Sequence, residues 1–331
     1  MIEPVRTFIA ATIMTMALTA SVQAAEKMRI SLQLPLTSHI GQNLLLFKQE
    51  VEDRTDGGII VEIYDSAQLY KDKEVPQAVG SGAIEAGVAS LTRYVGDIPA
   101  VDLFYMPFLL NSEDKVRQAV EEGSVIRTAI EEAVTGTGAK LLYWQAYGGA
   151  IMLSKGAPIR TPDDLAGKKV RVFGKTLGDF VTAAGGAPTL ISGSEQYLAY
   201  QRGTVDVGMT GVSGVQSRRL WEVMDTITVT NHADIEFVVV VNLDWWNSLS
   251  AENREAIEMA AQVAEINVRD AMAQIEAEAF DAARQNGMTV YVPTDAEIEA
   301  WKAVSAPVYD AYRASAGDLG ERLLDAAASL N

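Results

Sequence analysis

The residues best placed to do chemistry in this chain are polar side chains at the ends of predicted strands, and Arg171 leads them. The segment 161–174 reads TPDDLAGKKVRVFG. Thr161 suits a helix N-cap, Pro162 the first helical position, and Asp163 and Asp164 the first turn. Gly167 ends that turn. Lys169–Phe173 then alternates as a strand, with Val170 and Val172 on one side and Arg171 on the other. Gly174 breaks the strand, leaving a cation where open α/β sheets bind ligands. The chemistry on offer is the capture of an anionic group. Taken alone, the segment fits a solvated surface arginine or a structural ion pair more often than a ligand contact.

Other polar residues fall at comparable places. Gln33 lies near the end of the first predicted strand, Ser90 and Arg93 follow the third, and Thr210 follows the sixth between Gly208 and Gly211. Asn231 and His232 precede an apolar strand, Phe237–Asn242. A cleft-binding protein uses such positions. Each has a plain alternative: Ser90 and Thr210 as turn residues, Arg93 as a surface charge, Asn231 as a cap. Catalytic patterns are missing. His39 and His232 stand far apart and in no HExxH, and there is no GxSxG, Walker loop or GxGxxG after a strand. With 44 acidic residues, carboxylate pairs arise by chance and none stands out. The reading is a non-enzyme that needs no cofactor and no metal.

The elements that must position these residues alternate. Met28–Leu34, Ile59–Tyr64, Ala86–Ser90 and Lys140–Trp144 read as strands. Helical stretches lie between them, at Ile40–Arg54, Glu74–Gly80 and Glu113–Val134. The pattern restarts at Lys169–Phe173, with helices at Leu177–Ala184 and Ser194–Gln201 and a strand at Val205–Met209. Two α/β units in series imply two lobes, each a mostly parallel sheet flanked by helices, with a cleft between them. Ala251–Gln285 lacks Gly and Pro, is capped by Ser250 and ended by Gly287, and reads as one long helix that bridges the lobes. Thr294–Glu297 is a capping box for a later helix. The expected division is 25–148 plus about 236–275 for the first lobe, and about 149–235 plus 276–331 for the second.

Residues 1–24 read as a secretory signal, with Arg6 before the apolar run Phe8–Ala20 and Val22-Gln23-Ala24 as a cleavage site. The chain is therefore expected to leave the cytoplasm, with cleavage after Ala24. The chain has no cysteine, hence no disulfide framework and no thiolate site. Its net charge of −17 argues against nucleic acid and anionic lipid as partners.

Several blocks resemble one family in order and spacing: SAQLYKDKE (66–74), PAVDLFYMPFLL (99–110), TPDDLAGKKVRV (161–172), GGAPTLISGSEQYLAYQRGTVDVG (185–208), RRLWEVMD (218–225) and TNHADIEFVVVVN (230–242). Over nearly the whole exported chain the sequence resembles the solute-binding proteins of tripartite ATP-independent periplasmic (TRAP) transporters, the DctP family, typified by C4-dicarboxylate and sialic-acid binders. The resemblance implies two α/β lobes that close on a small organic anion and hand it to the small and large membrane subunits of a permease. It also implies that the arginine of the GxKxR stretch, here Arg171, pairs with a carboxylate through two parallel hydrogen bonds.

Other family contacts map onto Gln33 at an amide position, Asp72 and Ser90 at acidic positions, and Arg93 at a basic one. Thr210 replaces an asparagine, in DVGMT (206–210). Tyr147, Tyr94 and Phe237 are either pocket walls or core aromatics. A second arginine of some members aligns near Ile151 and is absent. These departures argue against sialic acid. They leave a ligand with a single anionic group, a carboxylate or a sulfonate, or one smaller and less polar. Asp72 would tolerate a zwitterion or amine. The competing readings are a binding protein of another importer or sensor, and a secreted enzyme on the same fold.

Overall fold

The computed structural model describes residues 25–331, so the signal-like segment lies outside the described residues. The chain begins with β1 (Glu26–Ser31), α1 (His39–Arg54), β2 (Ile59–Tyr64), α2 (Val75–Gly80) and β3 (Ala86–Ser90). Two helices follow, α3 (Glu113–Val120) and α4 (Val125–Thr135), before the 16-residue strand β4 (Ala139–Ser154). The helical spacing of 113–134 is thus split in two. Gly123 takes a left-handed φ of 82° there, and the Ser124 side chain caps α4 by accepting from the Arg127 amide at 3.0 Å.

The second series is β5 (Lys169–Val172), α5 (Lys175–Ala183), β6 (Ala187–Leu190), α6 (Gln196–Gln201), β7 (Val207–Gly211), α7 (Val212–Ser217) and β8 (Thr226–Thr228). The chain ends with β9 (Asp234–Asn242), α8 (Leu243–Ser248), α9 (Ala251–Gln285), β10 (Thr289–Tyr291), α10 (Asp295–Ala303) and α11 (Ala306–Ala328), the last broken at Gly317.

The strands run in the order β2-β1-β3-β9-β4-β7-β5-β6, with β8 beside β4 and β10 beside β8. Pairs outside the centre are parallel, as the strand–helix alternation requires: β1 with β2 and β3, β5 with β6 and β7. The centre is antiparallel. β9 pairs antiparallel with β3 and with β4, and β4 pairs antiparallel with β7. Alternation does not reveal this, because β9 joins the first sheet long after the strands it pairs with.

β4 is the strand that changes partners. Residues 139–149 lie against β9 and residues 150–154 against β7, and irregularities in the β9 pairing fall between Leu141 and Tyr143 and between Ala146 and Gly148. Gly148 has a φ of 91° there, and a Cβ on it would sit 2.3 Å from Glu276 Oε1. Only glycine fits this crossing without strain.

The two lobes of this α/β periplasmic-binding-protein fold share a long bridging helix. Ser250 caps α9 by accepting from the Asn253 amide, and 35 residues give it a length of about 50 Å. It packs on α1 and β4 in one half and on α7 and β10 in the other. Its buried side is mostly Ala, including Ala260, Ala264, Ala279 and Ala283, which lets the helix approach the sheets closely. The last helix, α11, packs against both the turn Pro99–Tyr105 and α5. Among the described residues no helix is long and apolar enough to cross a membrane.

Candidate functional site

A cavity of about 310 Å³ lies between the two halves. Its walls come from both halves and from the strands joining them. Gln33, Asp72, Ser90 and Arg93 lie on one side, Arg171, Gln196, Thr210 and Arg218 on the other, and Tyr147 and Phe237 on β4 and β9. Eight of the nine residues singled out in the sequence therefore meet in one place.

The ninth does not. Asn231 takes a left-handed φ of 42° in the loop before β9 and packs on Gly149, where it lines a separate pocket with Glu276. Tyr94 is buried and is not part of the cavity wall. Alternation along β9 explains the sorting of that strand: Ile235 and Phe237 face the cavity, while Glu236 faces α9 and pairs with Arg269.

Arg171 is 3% exposed. Its Nε donates to the Ile191 carbonyl at 3.0 Å and its Nη1 to the Met209 carbonyl, and its guanidinium lies 5.3 Å from the Phe173 ring centre. These contacts fix the plane of the group without neutralising its charge. Among the described residues it has no carboxylate partner, unlike Arg93 and Arg269, which are paired with Asp72 and Glu236. Burial pushes its pKa down to about 10, and Arg218 and Arg93 add to the push. It still carries its charge at neutral pH. A buried, charged, unpaired guanidinium is costly, and an anion placed against it removes that cost.

Asp72 is the opposite case. Its carboxylate accepts from the Ser90 amide at 2.9 Å, from the Ser90 hydroxyl at 2.8 Å and from Arg93 Nε. These three donors hold the carboxylate in the cavity wall. Two amide atoms in the wall lack partners, Gln33 Oε1 and Gln196 Nε2, and both are buried. Across the cavity rim, Lys71 Nζ meets Glu195 Oε1 at 2.8 Å.

Sequence reasoning missed Phe173, Gly193, Gln196, Arg218 and Ile235. Two of these were within reach, since Phe173 and Ile235 stand two residues from Arg171 and Phe237 on the same strand face. Arg218 follows the end of α7 and carried no local signal. It lines the cavity with no carboxylate partner among the described residues, while position 151 is an isoleucine buried in the core. Among the described residues, no group of three or more acidic or histidine side chains is arranged to hold a metal ion.

The sequence matches the family described as bacterial extracellular solute-binding protein, family 7 (DctP), over residues 30–315. It is 31% identical to the C4-dicarboxylate-binding periplasmic protein of Rhodobacter capsulatus over 277 residues, covering 82% of this chain and 81% of that protein. It is 25% identical to the ectoine-binding periplasmic protein of Halomonas elongata over 284 residues, 84% of this chain and 82% of that one. Among solved structures, a TRAP periplasmic solute-binding protein of Shewanella oneidensis with bound succinate superposes with a TM-score of 0.87 at 24% identity, covering 93% of this chain and 100% of that one. One from Ralstonia eutropha with bound (S)-2-acetolactate gives 0.84 at 25%, covering 91% and 98%. A match running through both lobes, the crossing strands and the bridging helix leaves one assignment: the chain belongs to the DctP family of TRAP solute-binding proteins, a non-enzymatic family with periplasmic homologues.

Proposed function

We propose that this protein is the periplasmic subunit that captures a small organic acid for a TRAP transporter, closes its two lobes on it, and delivers it to the small and large membrane subunits. In this reading residues 1–24 direct export and are removed after Ala24, and the lobes divide near 148 and 236 and within α9. Arg171 grips a carboxylate or sulfonate, and Gln33, Ser90, Arg93, Thr210, Tyr147 and Phe237 complete the pocket. The observation that carries it is the buried, unpaired Arg171 in a cavity walled by both halves. The acids named for relatives, succinate and (S)-2-acetolactate, agree with it. A ligand that bridges the halves favours closure by its differential affinity for the closed form.

A thermal-shift screen against carboxylates, sulfonates and sugar acids tests the reading. A ligand at about 100 times its Kd adds about 2.7 kcal/mol, which raises the midpoint by several degrees. Arg171→Ala is expected to lose the shift while remaining folded, and the radius of gyration by solution scattering is expected to fall when ligand is added. An undiminished shift in Arg171→Ala overturns the role of that residue. An unchanged radius counts against closure.

A further inference from the structure

We infer that Asp102 is a positioning residue that opposes closure of the empty lobes, because its carboxylate must be stripped of water for the two halves to meet. It rests on the reading that the lobes close on an acid. Asp102 lies in the turn Pro99–Tyr105 of the first lobe and is 1% exposed. Part of its cover comes from the second lobe. Its Oδ2 accepts from the Thr176 amide at 3.2 Å and the Thr176 hydroxyl at 2.7 Å, at the first turn of α5. Beside it, Thr92 of the first lobe seats on Gly174, the N-cap residue of α5. A Cβ on Gly174 would lie 2.5 Å from Thr92 Oγ1 and 3.3 Å from Thr92 Cβ. Gly174 has a φ of −153°, which any residue adopts, so the glycine serves this close approach and not a turn. The contact stands just beyond Arg171 at the end of β5, so the cation and the contact move together.

A permanent brace would be fully paired, as Asp72 is with Arg93 and Glu236 with Arg269. This contact is not. Asp102 Oδ1 and Thr92 Oγ1 are buried without hydrogen-bond partners, and the neighbouring Lys175 is bonded to Asp179 instead. The two bonds from Thr176 return only part of what desolvation takes from an ionised carboxylate. Parting the lobes gives Asp102 back to water. Burial accordingly pushes its carboxyl up from the ordinary range, with Thr92, Thr176 and the Lys175 charge pulling the other way. The titratable groups that face it are Lys175 of α5, Tyr105 of its own turn and Tyr312 of α11, which donates to the Ala100 carbonyl at 3.0 Å. Burial pushes both tyrosines further above neutrality, which leaves Asp102 as the acid of the set. Closure then takes up a proton, and falling pH favours it. An acid bound at Arg171 supplies the same bias at neutral pH by its higher affinity for the closed form.

The test reads closure directly. The chain has no cysteine, so Leu69→Cys and Leu198→Cys can carry a pair of spin labels. Both residues are exposed, and they flank the Lys71–Glu195 bridge across the cavity rim. Pulsed dipolar spectroscopy of the ligand-free protein then gives the closed fraction. Asp102→Asn keeps an acceptor for Thr176 and carries no charge, and it is expected to raise that fraction severalfold at pH 7.5. Succinate and (S)-2-acetolactate, titrated calorimetrically, are expected to bind this variant about tenfold more tightly than wild type. Thr176→Val removes a donor from the carboxylate, so it is expected to weaken binding in wild type and to matter little beside Asp102→Asn. Lowering the pH to 5.5 is expected to close ligand-free wild type further and to leave Asp102→Asn unchanged. A closed fraction in Asp102→Asn equal to or below that of wild type overturns the inference, as does an equal effect of Thr176→Val or of pH in both backgrounds. If the acids bind while the closed fraction ignores Asp102→Asn, the capture reading stands and this inference falls. If Asp102→Asn closes and neither acid binds, this inference stands and the capture of those acids falls.

Discussion

Asp72, Ser90 and Arg93 act as one unit at the level of single residues. The Asp72 carboxylate is buried, and its three donors come from a backbone amide, a hydroxyl and a guanidinium. An arginine paired in this way shapes the wall and adds no charge to it. Replacing Asp72 with Asn would leave the Arg93 guanidinium buried beside a neutral amide. Breaking such a pair costs about 3–5 kcal/mol, because the surviving charge is desolvated and unpaired. Asp72→Asn is therefore expected to lower the urea midpoint markedly. The double variant Asp72→Asn/Arg93→Gln should recover part of the loss, and a midpoint unchanged in Asp72→Asn would show the pair to be inert.

At the level of elements, β4, β9 and α9 are tied together where they cross. Glu276 of α9 accepts from the Gly149 amide at 2.9 Å and packs on Gly148. Burial pushes the Glu276 carboxyl up from its ordinary pKa, and Glu113 adds to the push against the restraint of the Gly149 hydrogen bond. Gly148→Ala meets two obstacles, a φ of 91° and a Cβ 2.3 Å from Glu276 Oε1. A loss of about 1–3 kcal/mol is expected. Adding Glu276→Ala removes the clash but not the dihedral strain, so a double-mutant cycle should show the two substitutions costing less together than their separate losses combined. Strict additivity would place the whole cost in the backbone. A second link lies just beyond Arg171. Asp102 Oδ2 accepts from the Thr176 amide at 3.2 Å and from its hydroxyl at 2.7 Å, so a side chain from the first half of the chain caps α5.

The two histidines shape the acid response of the whole molecule. Burial lowers the His39 pKa to about 4, with its hydrogen bond to the Ala146 carbonyl resisting and Arg218 assisting, and burial lowers His232 to about 3. An unfolded histidine titrates near 6.5. Below that pH the unfolded chain binds protons that the folded chain refuses, so stability falls as pH drops toward 4 and then 3. Each histidine contributes a slope of up to about 1.4 kcal/mol per pH unit in its window. Asp102 leans the other way. Burial raises its pKa, so what it costs in stability at neutral pH is recovered in acid. The comparison is therefore between wild type and His232→Asn, by denaturant unfolding at pH 7.5 and pH 5. The variant is expected to lose less stability on acidification, and identical losses would remove His232 from the account.

Much of this was legible in the residues. α9 begins and ends where Ser250 and Gly287 place it, and Thr294 and Glu297 form the capping box that their spacing implies. Such signals are local, satisfied within one turn of chain by a side chain and a nearby amide. Arg171 was legible because a strand pattern and a following glycine fix which way its side chain points. Asn231 was misplaced for a related reason: a loop has no period, and a left-handed φ there turned the side chain to the back of β4. The split of 113–134 was missed because Gly123 is a modest interruption by itself.

The amino-acid sequence alone determined the fold class and the family, since these rest on periodicity, capping and the order of family-like blocks along the chain. Tertiary structure alone decided the charge of the cavity. Arg93 is cancelled by a carboxylate 21 residues away, Arg218 is uncancelled, and Gly193 clears the space that Arg218 enters. Net charge in a pocket is a sum over side chains that meet only when two lobes are brought face to face. No window of sequence contains that sum.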